Sequence, residues 1–131
     1  MGNPAGSFIW YELMTSDPDV ATTFYGAVVG WRISPPDPHR TDGKDYRMIG
    51  RSDGKHLGGV LKITPDMGSV PSTWLAYLSV ANVDATCAAI VADGGKVHMP
   101  PTDIPHAGRI AMATDPQGVP FYVMTPTPPA D

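Results

Sequence analysis

The chain predicts an α+β fold of two tandem βαβββ modules with pseudo-twofold symmetry. Three observations carry that expectation. FIWYELMTSDPDVATTFYGAVVGWRISPP, at 8–36, returns 65 positions later without a gap as TWLAYLSVANVDATCAAIVADGGKVHMPP, at 73–101, so that Leu13 falls on Leu78, Asp19 on Asp84 and Gly30 on Gly95. Each copy places a strand-length run ahead of a capped, helix-length run. The 14 Gly and 15 Pro show no collagen-like period and punctuate the remainder into short strands and turns.

In the first module, Phe8 to Thr15 mixes aromatic, β-branched and apolar residues over strand length. Asp17 then caps a helix, Pro18 fits its first position, where a missing N–H costs nothing, and Asp19 suits the positive end of the dipole. Val20, Phe24 and Val28 recur at a spacing of four, with Ala21 and Ala27 flanking them, which predicts one apolar stripe that packs on the sheet. Gly30 ends the helix in the left-handed conformation. Strands are expected at 31–34, 45–51 and 56–64, the last interrupted by Gly58-Gly59, with a turn at 52–55.

The first module thus covers about 8–64, PDMGSVPS at 65–72 has linker composition, and the second module covers about 73–125. There the expectation is a strand at 74–80, a helix from the Asn82 cap to Ala92 stopped by Gly94-Gly95, and strands near 96–99, 108–114 and 119–125. The Asp115-Pro116-Gln117-Gly118 turn aligns with Asp53-Gly54 at an offset of 64, as Gly118 falls on Gly54.

At 131 residues this is one domain of two halves. A hydrophobic fraction of 42% with 17% charged residues belongs to chains that fold. A net charge of −4 without a Lys/Arg run argues against nucleic acid and anionic membranes as partners, and no apolar stretch reaches membrane-spanning length. With no leader-like N-terminus the expected location is cytoplasmic. The lone Cys87 falls in the second helix and is expected in the core.

Two such modules imply curved mixed sheets with their helices outside and a cleft between the inner faces. Alternation along the first strand sets Tyr11, Leu13 and Thr15 on one side and Trp10, Glu12 and Met14 on the other. A charge under the helix is costly, so the even set, and with it Leu75, Tyr77 and Ser79, is assigned to the cleft.

TSDPDVATTFYGAVVGW in the first module, and VANVDATCAAIVADGGKVHMPP followed by GRIAMATDPQGVPFYVM in the second, resemble the vicinal oxygen chelate superfamily. This is the group of glyoxalase I, extradiol dioxygenases and bleomycin-resistance proteins. Together, WYELMTSD and the GR…DPQG ending are most similar to its large glyoxalase-like, mostly uncharacterised set. The resemblance implies four symmetry-related slots, on the first and last strand of each module, where metal-dependent members place His, Glu or Gln. In this sequence the slots fall on Trp10, on Leu75 (or Trp74 with a one-residue slip), on Tyr122 and on Gly58.

None of these is an imidazole or carboxylate, so the expectation is a protein that binds a hydrophobic or aromatic small molecule without the usual metal and without another cofactor. Trp10, Glu12, Met14, His56, Gly58, Tyr77, Arg109 and Tyr122 are its candidate ligand-binding residues. Glu12 is the candidate catalytic group, a carboxylate on an apolar face that burial would bring into general-base range, set against a structural ion pair to Arg47 or Arg109. Gly58-Gly59 either makes room for a ligand or marks a bulge. His39 and His106 belong to loops, and His98 is expected to be partly covered. The competing classes are an enzyme and a scaffold. The enzyme is either a divalent-metal lyase or dioxygenase using displaced ligands such as Glu12 and His56, or a metal-free acid–base catalyst built on Glu12. Exposed sheet edges and the resemblance also imply a homodimer.

Overall fold

The computed structural model describes residues 4–38, 44–67, 71–105 and 107–127, so His39 and His106 lie outside the described residues. The chain divides into two compact units, residues 10–75 and residues 1–9 with 76–131. Elements run β1 (Phe8–Thr15), α1 (Pro18–Val29), β2 (Arg32–Ile33), β3 (Tyr46–Gly50), β4 (His56–Lys62), β5 (Thr73–Ser79), α2 (Val83–Ala92), β6 (Lys96–Ile104), β7 (Gly108–Thr114) and β8 (Pro120–Pro126), with a 3-10 turn at Pro65–Met67. Each repeat is therefore strand, helix, three strands. Among the described residues no helix is long and apolar enough to cross a membrane.

In the unit of residues 10–75 the strand order is β2-β3-β4-β1. β1 runs parallel to β4, and β3 is antiparallel to both β2 and β4. Asp17 caps α1 by accepting a hydrogen bond from the Val20 amide at 3.1 Å, and Gly30 closes it at φ 75°. The helix faces the sheet through Pro18, Ala21, Thr22 and Tyr25, positions that repeat as i, i+3, i+4, i+7. Under it lie Leu13, Ile49 and Val60, with Tyr25, Trp31, Ile33 and Leu57 around them. Fully burying an aliphatic side chain of this size contributes roughly 1.5–3 kcal/mol.

The spacing-of-four stripe does not pack on the sheet. Val20, Phe24 and Val28 remain 63%, 55% and 61% exposed. The reason is volume: the row 18–21–22–25 offers small residues that let the helix approach closely, and Tyr25 fills the remaining gap by stacking on Trp31 at 5.3 Å between ring centroids. A larger Val/Phe row would hold the helix off the sheet.

The other unit has the order β5-β8-β7-β6. Its helix uses the equivalent row, with Val83 and Cys87 buried against Ala111 and Val123. Asn82 caps α2 by accepting from the Ala85 amide at 3.0 Å. Burial pushes the Cys87 thiol pKa up, in keeping with a core residue. At the edge, β6 runs on through Pro100-Pro101 to Ile104 instead of ending at 99. An edge strand has one side without ladder partners and tolerates residues that lack an N–H, and the register shifts around Met99 absorb the misfit. His98, at this edge, is exposed and hydrogen-bonds the Thr114 hydroxyl at 2.8 Å.

Each helix is also tied down by an arginine. Arg47, 8% exposed, reaches Asp19 of α1 at 2.9 Å and takes both oxygens of Asp45 at 3.0 Å. Arg109 bonds both oxygens of Asp84 in α2, at 2.8 and 3.0 Å, and Asp103 at 3.0 Å. Hydrogen bonds to charged groups contribute about 1.5–3 kcal/mol when shielded and little when exposed. Arg47→Met is therefore expected to lower the unfolding free energy by about 1.5–3 kcal/mol in urea titrations, and Arg109→Met by clearly less.

Candidate functional site

The face of β1 opposite α1 carries Trp10, Glu12 and Met14. Leu13 enters the core under the helix, so period-two alternation sends its neighbours to the other side. Glu12 is 2% exposed and Met14 4%. In the ladder Glu12 lies opposite Gly59 and Met14 opposite Leu61, while Met48 and Tyr46 of β3 stand across from Gly59 and Leu61.

Tyr46 is the residue of this face that sequence reasoning misses. Its ring lies over Gly59, where an added Cβ would come within 2.0 Å of the phenol oxygen, and that oxygen accepts a hydrogen bond from the Trp10 indole at 3.0 Å. The available signal was Gly59 itself, since a strand glycine often marks the close approach of another group. The space freed at this glycine is filled by a side chain of the same sheet.

Gly58, the expected slot, lies on the wrong face. It pairs with Ile49 and shares the parity of Val60, both core residues under α1. A Cβ there would sit 1.9 Å from the Tyr11 carbonyl oxygen, so this glycine serves the approach of β1 to β4. The displacement has an identifiable cause. Between Ile49 and Gly50 the β3–β4 register shifts by one residue, from Ile49↔Gly58 to Gly50↔His56. That bulge adds a residue to β4 after the turn. Glu12 and Tyr77 are repeat equivalents; Glu12 pairs with Gly59 and Tyr77 with Tyr122, so Gly59 is the true counterpart of Tyr122. His56 is exposed at the start of β4, beyond the bulge, and pairs with Gly50, which keeps it on the Met48 side of the sheet but two ladder pairs away from Gly59, the partner of Glu12.

In the other unit, Tyr77 and Tyr122 stack with ring centroids 4.2 Å apart and planes 9° from parallel. Each is 6% exposed, and they sit on the face away from α2, because neighbouring Val123 is in the core beneath that helix. Leu75 and Ser79 share their parity and are buried. Trp74 takes the opposite direction: its indole donates to the Tyr25 hydroxyl at 3.2 Å, which removes the one-residue slip that would have put it in a slot. Arg109 is committed to Asp84 and Asp103, and Arg47 to Asp19 and Asp45. Both arginines hold helix to strand, and the ion-pair roles expected for them opposite Glu12 are replaced by these contacts.

The corrected slots hold an indole, a glycine, an isobutyl group and a phenol: Trp10, Gly59, Leu75 and Tyr122. That donor set does not fit a divalent ion, which requires several carboxylate, imidazole or thiolate groups converging. Among the described residues no three of His, Cys, Asp or Glu are so grouped. The slots of the first unit instead make an aromatic surface beside a buried carboxyl.

A family model for the glyoxalase/bleomycin resistance protein/dioxygenase superfamily matches residues 7–123. The putative glyoxylase CFP32 of Mycobacterium tuberculosis is 41% identical over 126 residues, covering 96% of this chain and 46% of that protein. The anthracycline biosynthesis protein DnrV of Streptomyces peucetius is 28% identical over 130 residues, again covering 46% of its length. The chain thus spans about half the length of these curated relatives. Among solved structures, Streptomyces coelicolor methylmalonyl-CoA epimerase in complex with 2-nitronate-propionyl-CoA superposes with a TM-score of 0.66 at 20% identity, over 95% of this chain and all of that one.

Two predictions follow the geometry. Gly59→Ala must displace the Tyr46 ring and is expected to cost about 1–3 kcal/mol, most of it recovered in Gly59→Ala/Tyr46→Ala; Gly58→Ala meets backbone and gains nothing from the second change. The Arg109 guanidinium holds the Asp84 carboxyl below its ordinary value of 3.8, so its contribution is present above that value and is lost as pH falls through the lowered one. The stability difference between wild type and Asp84→Asn should therefore shrink on acidification below 3.8, measured by urea unfolding across pH.

Proposed function

The chain belongs to the glyoxalase/bleomycin resistance protein/dioxygenase superfamily, and we propose that it binds a hydrophobic or aromatic small molecule on the sheet face carrying Trp10, Glu12 and Tyr46. The observation that carries this reading is the Trp10–Tyr46 hydrogen bond over Gly59. It fixes two flat, apolar rings in one orientation and places them beside a carboxyl that is 2% exposed. Pre-set rings with one or two polar groups are the usual means of orienting an apolar ligand. Epimerases of the same fold are known bound to acyl-CoA compounds, which supports a small molecule as the ligand class. Tyr77 and Tyr122 give the other unit a comparable aromatic face.

A second reading gives Glu12 a chemical role. A carboxylate shielded from water on an apolar face suits proton abstraction from a carbon acid next to a carbonyl, without a metal at the family slots. Its burial is the observation that favours this role. In that reading Trp10 and Tyr46 position the ligand, and Glu12 moves the proton.

Thermal-shift screening against aromatic metabolites and antibiotics tests the binding proposal. A ligand at about a hundred times its Kd adds about 2.7 kcal/mol, an easily measured rise in Tm. At least one saturable stabilisation is expected, lost in Trp10→Ala and weakened in Tyr46→Phe. Stoichiometric Zn, Ni, Fe or Mn retained on purification and lost in Glu12→Ala would overturn the reading. Exchange of a carbon-bound proton for deuterium on the bound ligand, abolished in Glu12→Gln while binding persists, is expected if Glu12 is the base.

A further inference from the structure

We propose that Arg32 and His56, standing on either side of Gly50, form a subsite for the acidic group, a carboxylate or a phosphate, of the ligand bound on this face of the sheet. The inference rests on the binding role proposed above and names the class of ligand, an aromatic or hydrophobic acid.

Strand register puts the two groups on one face. Arg32 of β2 pairs with Gly50 of β3, and Gly50 pairs in turn with His56 of β4. Residues directly opposite in an antiparallel ladder share a face. Ile33 packs against the core under α1, so alternation turns Arg32 to the other side. His56 is there as well, since its Cδ2 lies 3.6 Å from the point that a Cβ on Gly50 would occupy. Gly50 is two residues along β3 from Met48, which stands across from Gly59, the partner of Glu12. Arg32 and His56 therefore share the face of Trp10, Glu12 and Tyr46, about 7 Å along the strand from the Glu12 row.

Spacing and charge select an anion. β2 and β4 flank β3, so the backbones of Arg32 and His56 are about 10 Å apart. The residue between them has no side chain, and the two heads can converge above it on a group the size of a carboxylate. A guanidinium offers a fork of N–H donors that matches such a group, and the imidazole adds a donor from the opposite side. Arg32 is exposed and, among the described residues, makes no ion pair, whereas Arg47, Arg51 and Arg109 are each held by aspartates. At this end of the β3–β4 hairpin Arg51 and Asp53 cancel, which leaves the charges of Arg32 and Lys55 in a chain whose net charge is −4. A local positive field of this kind draws an acid to the edge of the sheet. Glu12, on the same face, repels an acid from the middle of it, so the two together orient the ligand with its apolar body towards Trp10.

The equivalent row of the other unit is Lys96, Thr114 and Pro120. There the middle position carries a side chain, whose hydroxyl bonds His98 at 2.8 Å, and proline stands in place of the imidazole. That row serves as an internal control.

Amide NMR titrations of the full chain with naphthylacetate, naphthyl phosphate and the neutral naphthylacetamide test this. Both acids should shift the Gly50 and Arg32 amide signals and bind at least about tenfold tighter than the neutral probe, the effect of one charge-assisted hydrogen bond. Raising NaCl from about 20 mM to about 500 mM should shrink that margin. Arg32→Gln and His56→Gln should each reduce it with unchanged circular dichroism and an unchanged Kd for the neutral probe, and Lys96→Gln should alter nothing. Equal binding of acids and neutral probe, a preference that survives Arg32→Gln/His56→Gln, or no shift at Gly50 with either acid overturns the subsite. The two readings fail separately. A neutral probe that binds as tightly as the acids, and is lost in Trp10→Ala, sinks the subsite and leaves the aromatic face standing; inorganic phosphate that shifts Gly50 while no neutral aromatic binds does the reverse.

Discussion

The seating of α1 on its sheet through Pro18, Ala21, Thr22 and Tyr25 is the constraint on which the rest of the first unit depends. It commits Leu13, Ile49 and Val60 to one side, and alternation then commits Trp10, Glu12 and Met14 to the other. A strand has only two faces, so once the helix takes one, the chemistry is confined to the face that remains. The same seating turns Val20, Phe24 and Val28 outwards. One packing choice thus settles both the face left to Trp10, Glu12 and Met14 and the exposure of the outer row of α1.

The arginines reinforce this choice. Arg47 and Arg109 each reach the acidic residue in the first turn of their helix, Asp19 or Asp84, from the strand beneath. They are not repeat equivalents: Met48 corresponds to Met112, so Arg47 matches Ala111. The two modules reach the same helix-to-strand tie from different registers, and physical need rather than inherited position accounts for it. The consequence is that both arginines are committed to the helix side of their sheets and not to the face of Glu12.

Family membership and the residues at the slots point in different directions. The fold hosts metal-assisted reactions and simple binding alike, so the family says where a site lies and the side chains there decide what it does. Trp10, Gly59, Leu75 and Tyr122 provide surface rather than donors. In the unit of residues 10–75, Glu12 lies on the same strand face as Trp10, whose indole is held by its hydrogen bond to Tyr46.

The sequence by itself determined the repeat, the order of elements, both helix caps and the parity of β1, because these rest on local signals: capping side chains, turn glycines and period-two or period-3.6 patterning. Only the tertiary structure decided which row of α1 turns inward, since two rows were apolar enough and the choice rests on how closely a helix can approach a given sheet. The bulge before Gly58, the replacement of Gly58 by Gly59 on the Glu12 face, and the Tyr46 ring over that glycine depend on strand pairing across the β3–β4 hairpin. The partners of Arg47 and Arg109 likewise depend on side chains that meet only after folding. Pairing register and side-chain reach are properties of the folded chain, which is why the face of the site was readable from one strand and its furniture was not.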